Sequence, residues 1–427
     1  MPGQPSRLTT SNKVPTPAGD GFVPVPTDEL SVKLPASDFG RGGRMVHGDL
    51  PLRYSRGVSA MRETFDPAPP KGARIAECLS QMGCTNDSAA ALERAAGSEL
   101  DAAREGVLEL PDAFKLHFGG ELAHVRVAWR LTGGLGPVVV VLGGISAGRY
   151  VTGDDPKGWW SDIVGPGAPL DTRHCRILGL DFLGGSGQTT GPRVGQGLFP
   201  SVSAYDQAEL LRRVQDHLGL GSLAAIVGSS YGGMVALAFA ERWPERVAQV
   251  VAISAADRAH PMATAWRSVQ RAMVRYALSK NDGPEGLRLA RALAMATYRS
   301  PEEFSARFDG EAQRIDGRFQ FPVESYLLSR GDAYAASYLP EAFLCLSESI
   351  DLHRVDAGNI RVPTTLVAVR EDQLVPLTDM RALRDRLAGP VQFHEISSLY
   401  GHDAFLKEAA ALRAVFEQAL PPAKSAA

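Results

Sequence analysis

One short word, Gly228-Ser229-Ser230-Tyr231-Gly232, constrains this chain more than any other feature. It fits G-x-S-x-G with Ser230 at its centre, and its neighbours matter as much as the word. The buried-looking run LAAIV (223–227) precedes it, and an amphipathic stretch, GMVALAFAERW (233–243), follows. A strand that turns sharply into a helix holds the central serine at a strained elbow with its hydroxyl exposed. Glycines at 228 and 232 remove the Cβ atoms that would collide in such a turn. The hydroxyl then stands at a helix N-terminus, where backbone amides favour developing negative charge. Ser230 is therefore the candidate nucleophile; Ser229 does not occupy the elbow's centre.

The rest of the pattern agrees with a sheet that can carry an elbow. VVVVL (138–142), RILGLD (176–181), VAQVVAIS (247–254), TTLVAV (364–369) and VQFHEI (391–396) read as strands. LAHVRVAWRL (122–131) alternates as a half-exposed strand. Helical stretches such as AYDQAELLRRVQDHL (204–218) lie between. Strands alternating with helices imply a mainly parallel sheet covered on both faces. The run 255–360 reads as helix with no buried strand, long enough for a cap inserted over the sheet's carboxyl edge. The expected organisation is α/β. Residues 111–254 and 361–422 form the core and 255–360 the helical cap. Residues 71–110 read as a small helical segment, rich in Ala, Leu, Glu and Arg. Residues 1–70 hold eleven of the 29 prolines and read as a disordered arm, because proline breaks helices and central strands.

Composition excludes several functions. The net charge is -3, so the chain lacks the basic excess needed to grip a phosphate backbone, and no nucleic-acid partner is expected. No run of 18 apolar residues is present, and the first residues lack a signal-peptide core, so neither a membrane nor secretion is expected. Cys78, Cys84, Cys175 and Cys345 show no zinc-type spacing. They read as free thiols in a reducing cytoplasm. LGGSGQTTG (183–191) lacks the GKS or GKT of a phosphate-binding loop, and no metal or resident cofactor is expected.

A serine hydroxyl is a poor nucleophile without a base. Where the serine sits on such an elbow, the chain order is serine, then acid, then histidine. Of the histidines after Ser230, His402 lies in the loop LYGHDAFL after the strand at 391–396. That position lets it lean over the sheet edge. His394 lies within the strand and His353 in a charged cap segment. The acid follows the preceding strand, and of Glu371 and Asp372 the second is the better placed. An oxyanion site needs two amides. Tyr231, after the nucleophile, supplies one, and Ile145 in the Gly-rich loop GGISAGR (143–149) the other.

Beyond the elbow, several separated stretches resemble the homoserine O-acyltransferase family, a branch of the α/β-hydrolase fold. They are WWSDIVGPGAPLDT (159–172), LGGSGQTTGP (183–192), GSSYGGMVAL (228–237), GLRLARALAMATYRS (286–300), DQLVP (372–376) and GHDAFL (401–406). Tyr231 stands where that family usually has Met or Phe. The resemblance implies an α/β-hydrolase fold with an inserted helical cap. It also implies acyl transfer from acetyl-CoA or succinyl-CoA, as co-substrate, to homoserine or serine. Arg291 matches the arginine that binds the amino acid's carboxylate, Tyr298 a tyrosine of the same pocket, and Asp403 the carboxylate facing the ammonium. A homodimer through the cap is a further implication. Arg149 is a candidate partner for a succinyl carboxylate, with an exposed loop arginine the equal alternative. A serine ester hydrolase, and an interaction protein built on the first 110 residues, are the competing classes.

Overall fold

The computed structural model describes residues 103–134, 136–153, 158–195 and 199–420. The expected N-terminal arm and nearly all of the expected helical segment at 71–110 lie outside them. The described end of that segment corrects the expectation: Arg104–Glu109 is a strand, β1. Its six residues pair antiparallel with β2 (Arg126–Thr132), Arg104 opposite Leu131 and Glu109 opposite Arg126. Arg, Glu and Leu are good helix formers, but propensity amounts to tenths of a kcal/mol per residue, and a ladder of cross-strand bonds overrides it.

Eight strands form one sheet in the order β1-β2-β4-β3-β5-β6-β7-β8. The others are β3 (Val138–Leu142), β4 (Arg176–Leu180), β5 (Ala225–Ser229), β6 (Val250–Ile253), β7 (Thr364–Val369) and β8 (Val391–Ile396). β2 runs antiparallel to both neighbours, and β3 to β8 are parallel. β2 was expected to be half-exposed. Instead five of its seven residues are buried, because it lies inside the sheet between β1 and β4.

Each face of the sheet is covered. On one side α1 (Ala204–His217) and α2 (Tyr231–Arg242) pack with Leu210, Leu237 and Phe239 fully buried. Each such side chain contributes about 1.5–3 kcal/mol of burial. The other side packs Trp160 and Ile163 against Phe416 of α9 (Ala409–Ala419). α2 is buried nearly all round, so it needs no polar face. α1 begins with a reciprocal cap. The Asp206 amide donates to the Ser203 hydroxyl, and the Ser203 amide to the Asp206 carboxylate.

Between β6 and β7 the chain leaves the sheet. α3 (Pro261–Leu278), α4 (Gly283–Tyr298), α5 (Pro301–Phe308), α6 (Pro322–Ala335) and α7 (Pro340–Asp351) follow, with one short exposed hairpin at Gln313–Gln320. Each of these helices carries proline in its first turn, where the missing N–H has no helical partner to lose. Val274, Leu287, Ala290 and Phe343 give this layer a core of its own. α8 (Leu377–Arg386) then precedes β8.

Candidate active site

Ser230 stands between β5 and α2 with φ 50° and ψ -120°. A non-glycine residue there carries about 1–3 kcal/mol of strain. The surroundings hold it in place. The Ser230 amide donates to the Ile253 carbonyl at 2.8 Å, and the Ser230 carbonyl accepts from the amides of Gly233 and Met234. A Cβ on Gly228 would lie 2.2 Å from the Gly232 carbonyl oxygen, and one on Gly232 2.2 Å from that of Leu142. No side chain fits at either position. The strand and helix therefore close on each other only because both flanking positions are glycine.

Three elements converge on this elbow. His402 lies in a short 3-10 turn (Gly401–Leu406) beyond β8, and its Nε2 is 2.8 Å from the Ser230 Oγ. Its Nδ1 is 2.7 Å from Asp372 Oδ2, in the turn after β7. The other Asp372 oxygen accepts from the Leu374 and Val375 amides at 2.8 and 3.0 Å. Those amides fix the carboxylate, which fixes the imidazole. Glu371 is turned elsewhere, to Ser397 and the Ser398 amide. The imidazole pKa lies above the ordinary histidine value. Burial pushes it down, but the Asp372 charge and hydrogen bond, joined by Asp403, outweigh that. Among the other histidines, His353 is buried beneath the cap with its pKa pushed down to about 4 by desolvation, and His394 stays in β8.

The two residues expected to supply oxyanion amides, Tyr231 and Ile145, lie beside Ser230 in chain and cleft respectively. Tyr231 is the first residue of α2, so its N–H has no carbonyl one turn earlier to bond. Its side chain points away: the phenol meets Ser349 Oγ at 2.6 Å in the core. Ile145 lines the cleft beside Ser230. The Gly232 amide donates to the Gly143 carbonyl at 2.9 Å, tying the Ile145 loop to the elbow. Gly143 serves loop packing, since a Cβ there would strike Ala147 and Trp159.

The cap supplies the remaining wall. Arg291 and Tyr298 lie two turns apart on α4, and the guanidinium sits 5.1 Å from the Tyr298 ring centroid. Tyr334 of α6, which no sequence spacing indicated, also meets the guanidinium, its ring centroid 4.8 Å away. Its hydroxyl is 2.9 Å from Ser146 Oγ, so it also ties the cap to the Ile145 loop. Arg291 makes no ion pair among the described residues. Its pKa lies above the ordinary arginine value: burial lowers it, but Tyr298, Tyr334 and the Asp403 carboxylate more than offset this. Asp403 lines the same cleft, and one of its oxygens lies 3.2 Å from Arg299. The expectation for Arg149 is corrected in both its forms. Arg149 is buried and bonded to Asp181 at 2.6 Å, to Tyr150 and to Gln188. It braces the loop and has no part in the cleft. No group of three or more His, Cys, Asp or Glu among the described residues is arranged to hold a metal ion. No described helix is long and apolar enough to cross a membrane.

A strained serine on a strand–helix elbow, a histidine and a buried carboxylate in hydrogen-bonded series, and a parallel sheet beneath them define a class. The chain belongs to the α/β-hydrolase fold family, whose model matches residues 137–409. Within that class it is a member of the homoserine O-acyltransferase family. It is 42% identical over 300 residues to a homoserine O-succinyltransferase of Xanthomonas campestris, covering 69% of this chain and 79% of that one. It is 35% identical to an L-serine/homoserine O-acetyltransferase of Streptomyces lavendulae, covering 70% and 92%. The fold also matches the crystal structure of a homoserine O-acetyltransferase from Bacillus anthracis, with a TM-score of 0.66 and 17% identity over 74% of this chain and 97% of that one.

Proposed function

We propose that this protein transfers the acyl group of an acyl-CoA, acetyl or succinyl, to the side-chain hydroxyl of L-homoserine through an ester on Ser230. The observation that carries the reading is the pairing of an armed serine with an arginine–carboxylate clamp in one cleft. Ser230, His402, Arg291 and Asp403 all line it. A hydrolase needs the first two only.

In the first half-reaction His402 Nε2 takes the Ser230 proton as Oγ attacks the thioester carbonyl. The oxyanion is held by the Tyr231 and Ile145 amides, each such donor being worth about 2.7–4 kcal/mol. The C–S bond breaks, and the proton passes from His402 to the departing sulfur. In the second half-reaction the amino acid's hydroxyl gives its proton to His402 and attacks the ester. The bond to Ser230 Oγ breaks and the proton returns to that oxygen. Arg291 offers a bidentate, charge-assisted grip on the α-carboxylate, and Asp403 faces the ammonium. Fixing both ends of the acceptor raises its effective concentration over water at the same carbon. Serine, one methylene shorter, carries the same two charges and is the second acceptor to consider, as the Streptomyces relative's name indicates.

The test is release of free CoA with each donor, with and without homoserine or serine. The proposal expects thioester consumption to depend on the amino acid and an O-acyl amino acid to accumulate. Consumption at the same rate without an acceptor would mark a hydrolase instead.

A further inference from the structure

Glu303 is a buried carboxylate that its own helix does not use. It is the third residue of α5, and the Ser300 hydroxyl caps that helix by accepting from the Glu303 amide at 3.1 Å. In a Ser-x-x-Glu start the glutamate side chain ordinarily reaches back to the amide of the capping serine. Here the Ser300 amide donates instead to the Leu399 carbonyl at 3.2 Å. The Glu303 carboxylate turns to Arg299, 3.3 Å from its Nη1. Glutamate is seldom buried this fully unless it is paired.

Arg299 joins α4 to α5 and reaches the substrate cleft. Its Nη2 lies 3.2 Å from Asp403 Oδ2, and its guanidinium lies 5.2 Å from the Tyr400 ring centroid. Its carbonyl accepts from Gln373 Nε2 at 3.1 Å. A Cβ on Gly401 would lie 2.6 Å from the Tyr298 carbonyl oxygen. The joint between the two helices is therefore bonded to the turn that carries Asp372 and packed against the turn that carries His402. Backbone contacts on both sides hold Arg299 beside Asp403.

That contact orients Asp403 but works against its charge. Arg299, Glu303 and Asp403 are each about nine-tenths buried at the side chain, so little water screens them. Arg299 and Asp403 alone would form a neutral pair with little attraction left for a second cation. Glu303 adds a second carboxylate, and the three groups together carry one net negative charge. Arg307 also meets Glu303, at 2.7 Å, but its side chain is 45% exposed and water screens it.

We propose that Arg299 and Glu303 are positioning residues for the acceptor. Arg299 holds Asp403 at the cleft, and Glu303 offsets the Arg299 charge so that Asp403 keeps its pull on the amino acid's ammonium. The inference rests on the acyl-transfer reading, in which Asp403 faces that ammonium.

The experiment measures kcat/KM for homoserine and, separately, for the acyl-CoA, with acetyl-CoA and succinyl-CoA in turn. It compares the native chain, Glu303→Gln and the double variant Arg299→Gln/Glu303→Gln. Glu303→Gln leaves Arg299 uncompensated and should lower kcat/KM for homoserine by roughly 10-fold, the effect of one buried charge on its neighbour. The value for the acyl-CoA, which reports acylation of Ser230 alone, should hold. The double variant removes both charges and restores the single negative charge at Asp403, so it should recover most of the loss. A purely structural role would make the second substitution add to the damage. If Glu303→Gln does not fold, the double variant decides: a kcat/KM for homoserine within roughly threefold of native supports the inference and a larger fall overturns it. An unchanged value in Glu303→Gln, an equal fall for donor and acceptor, or a double variant no better than the single also overturns it and leaves acyl transfer standing. Failure of the native chain to acylate homoserine or serine with either donor overturns the transfer reading itself.

Discussion

The two walls of the cleft are made in different ways. The sheet wall is fixed by backbone: Ser230 is locked by its amide and carbonyl bonds, and Asp372 by two amides of its own turn. The cap wall is fixed by side chains. Arg291 packs on Tyr298 and Tyr334, and Asp351 joins Arg267 to Arg271. Backbone placement tolerates no change at the reacting atoms. Side-chain placement can vary the substrate while the strands stay where they are. A fold that divides the work this way can keep one chemistry and exchange its donors and acceptors.

If the division is real, substitutions on the sheet wall should damage turnover of every substrate. Those on the cap wall should act on one substrate at a time. The largest effect belongs to Ser230→Ala. It should lower kcat on the order of 10⁶-fold for all donors and acceptors, as loss of a nucleophile does in such triads, measured by CoA release. Asp372→Asn should follow, at about 10⁴-fold, because the imidazole is then held in the wrong tautomer. Folding should be retained, which circular dichroism would check. Gly228→Ala belongs to the same wall but should act through stability. The Gly232 carbonyl, 2.2 Å from the new carbon, is backbone and cannot swing away. A clear fall in the thermal midpoint, accompanied by loss of turnover with all donors, is expected.

On the cap wall, Arg291→Ala should cut kcat/KM for the amino acid by roughly 10- to 100-fold, the range for a lost hydrogen-bonded charge. Acylation of Ser230 by donor alone, followed in a single turnover, should suffer much less. Equal damage to both half-reactions would break the comparison. The smallest effect is one of pH. Only the neutral imidazole accepts the Ser230 proton, and the His402 pKa lies above the ordinary value. Activity should therefore fall as pH drops through that raised value, an acid limb above about 6.5. Asp403 is one of the charges raising it, so Asp403→Asn should move the limb to lower pH. The stability linkage has the opposite dependence. The charged pair of His402 with Asp372 stabilises the fold fully below the unfolded histidine value and is lost as pH rises through the folded one.

The same division explains what the sequence disclosed. The elbow is a local object: five consecutive residues, with a strand before and a helix after, carry their own geometric requirement. His402 and Asp372 were legible because each follows a strand whose end is marked by its composition. Arg149 was not, because its partner Asp181 is 32 residues away and only the sheet brings them together. Tyr334 was missed for the same reason, being placed over Arg291 by the packing of α6 on α4. Arg104–Glu109 has a helix-like composition, and only pairing with β2 reveals it as a strand. The Asp351 carboxylate shared by two arginines also escapes the sequence, since three helices and a hairpin separate α3 from α7.

The central claim is that Ser230 carries the acyl group between donor and acceptor. Its most direct test is rapid-quench intact-mass measurement of the protein mixed with acyl-CoA alone. The account predicts a mass gain of one acyl group, located on the peptide containing Ser230 and discharged on adding homoserine. An unmodified protein under conditions where homoserine is being acylated would contradict it.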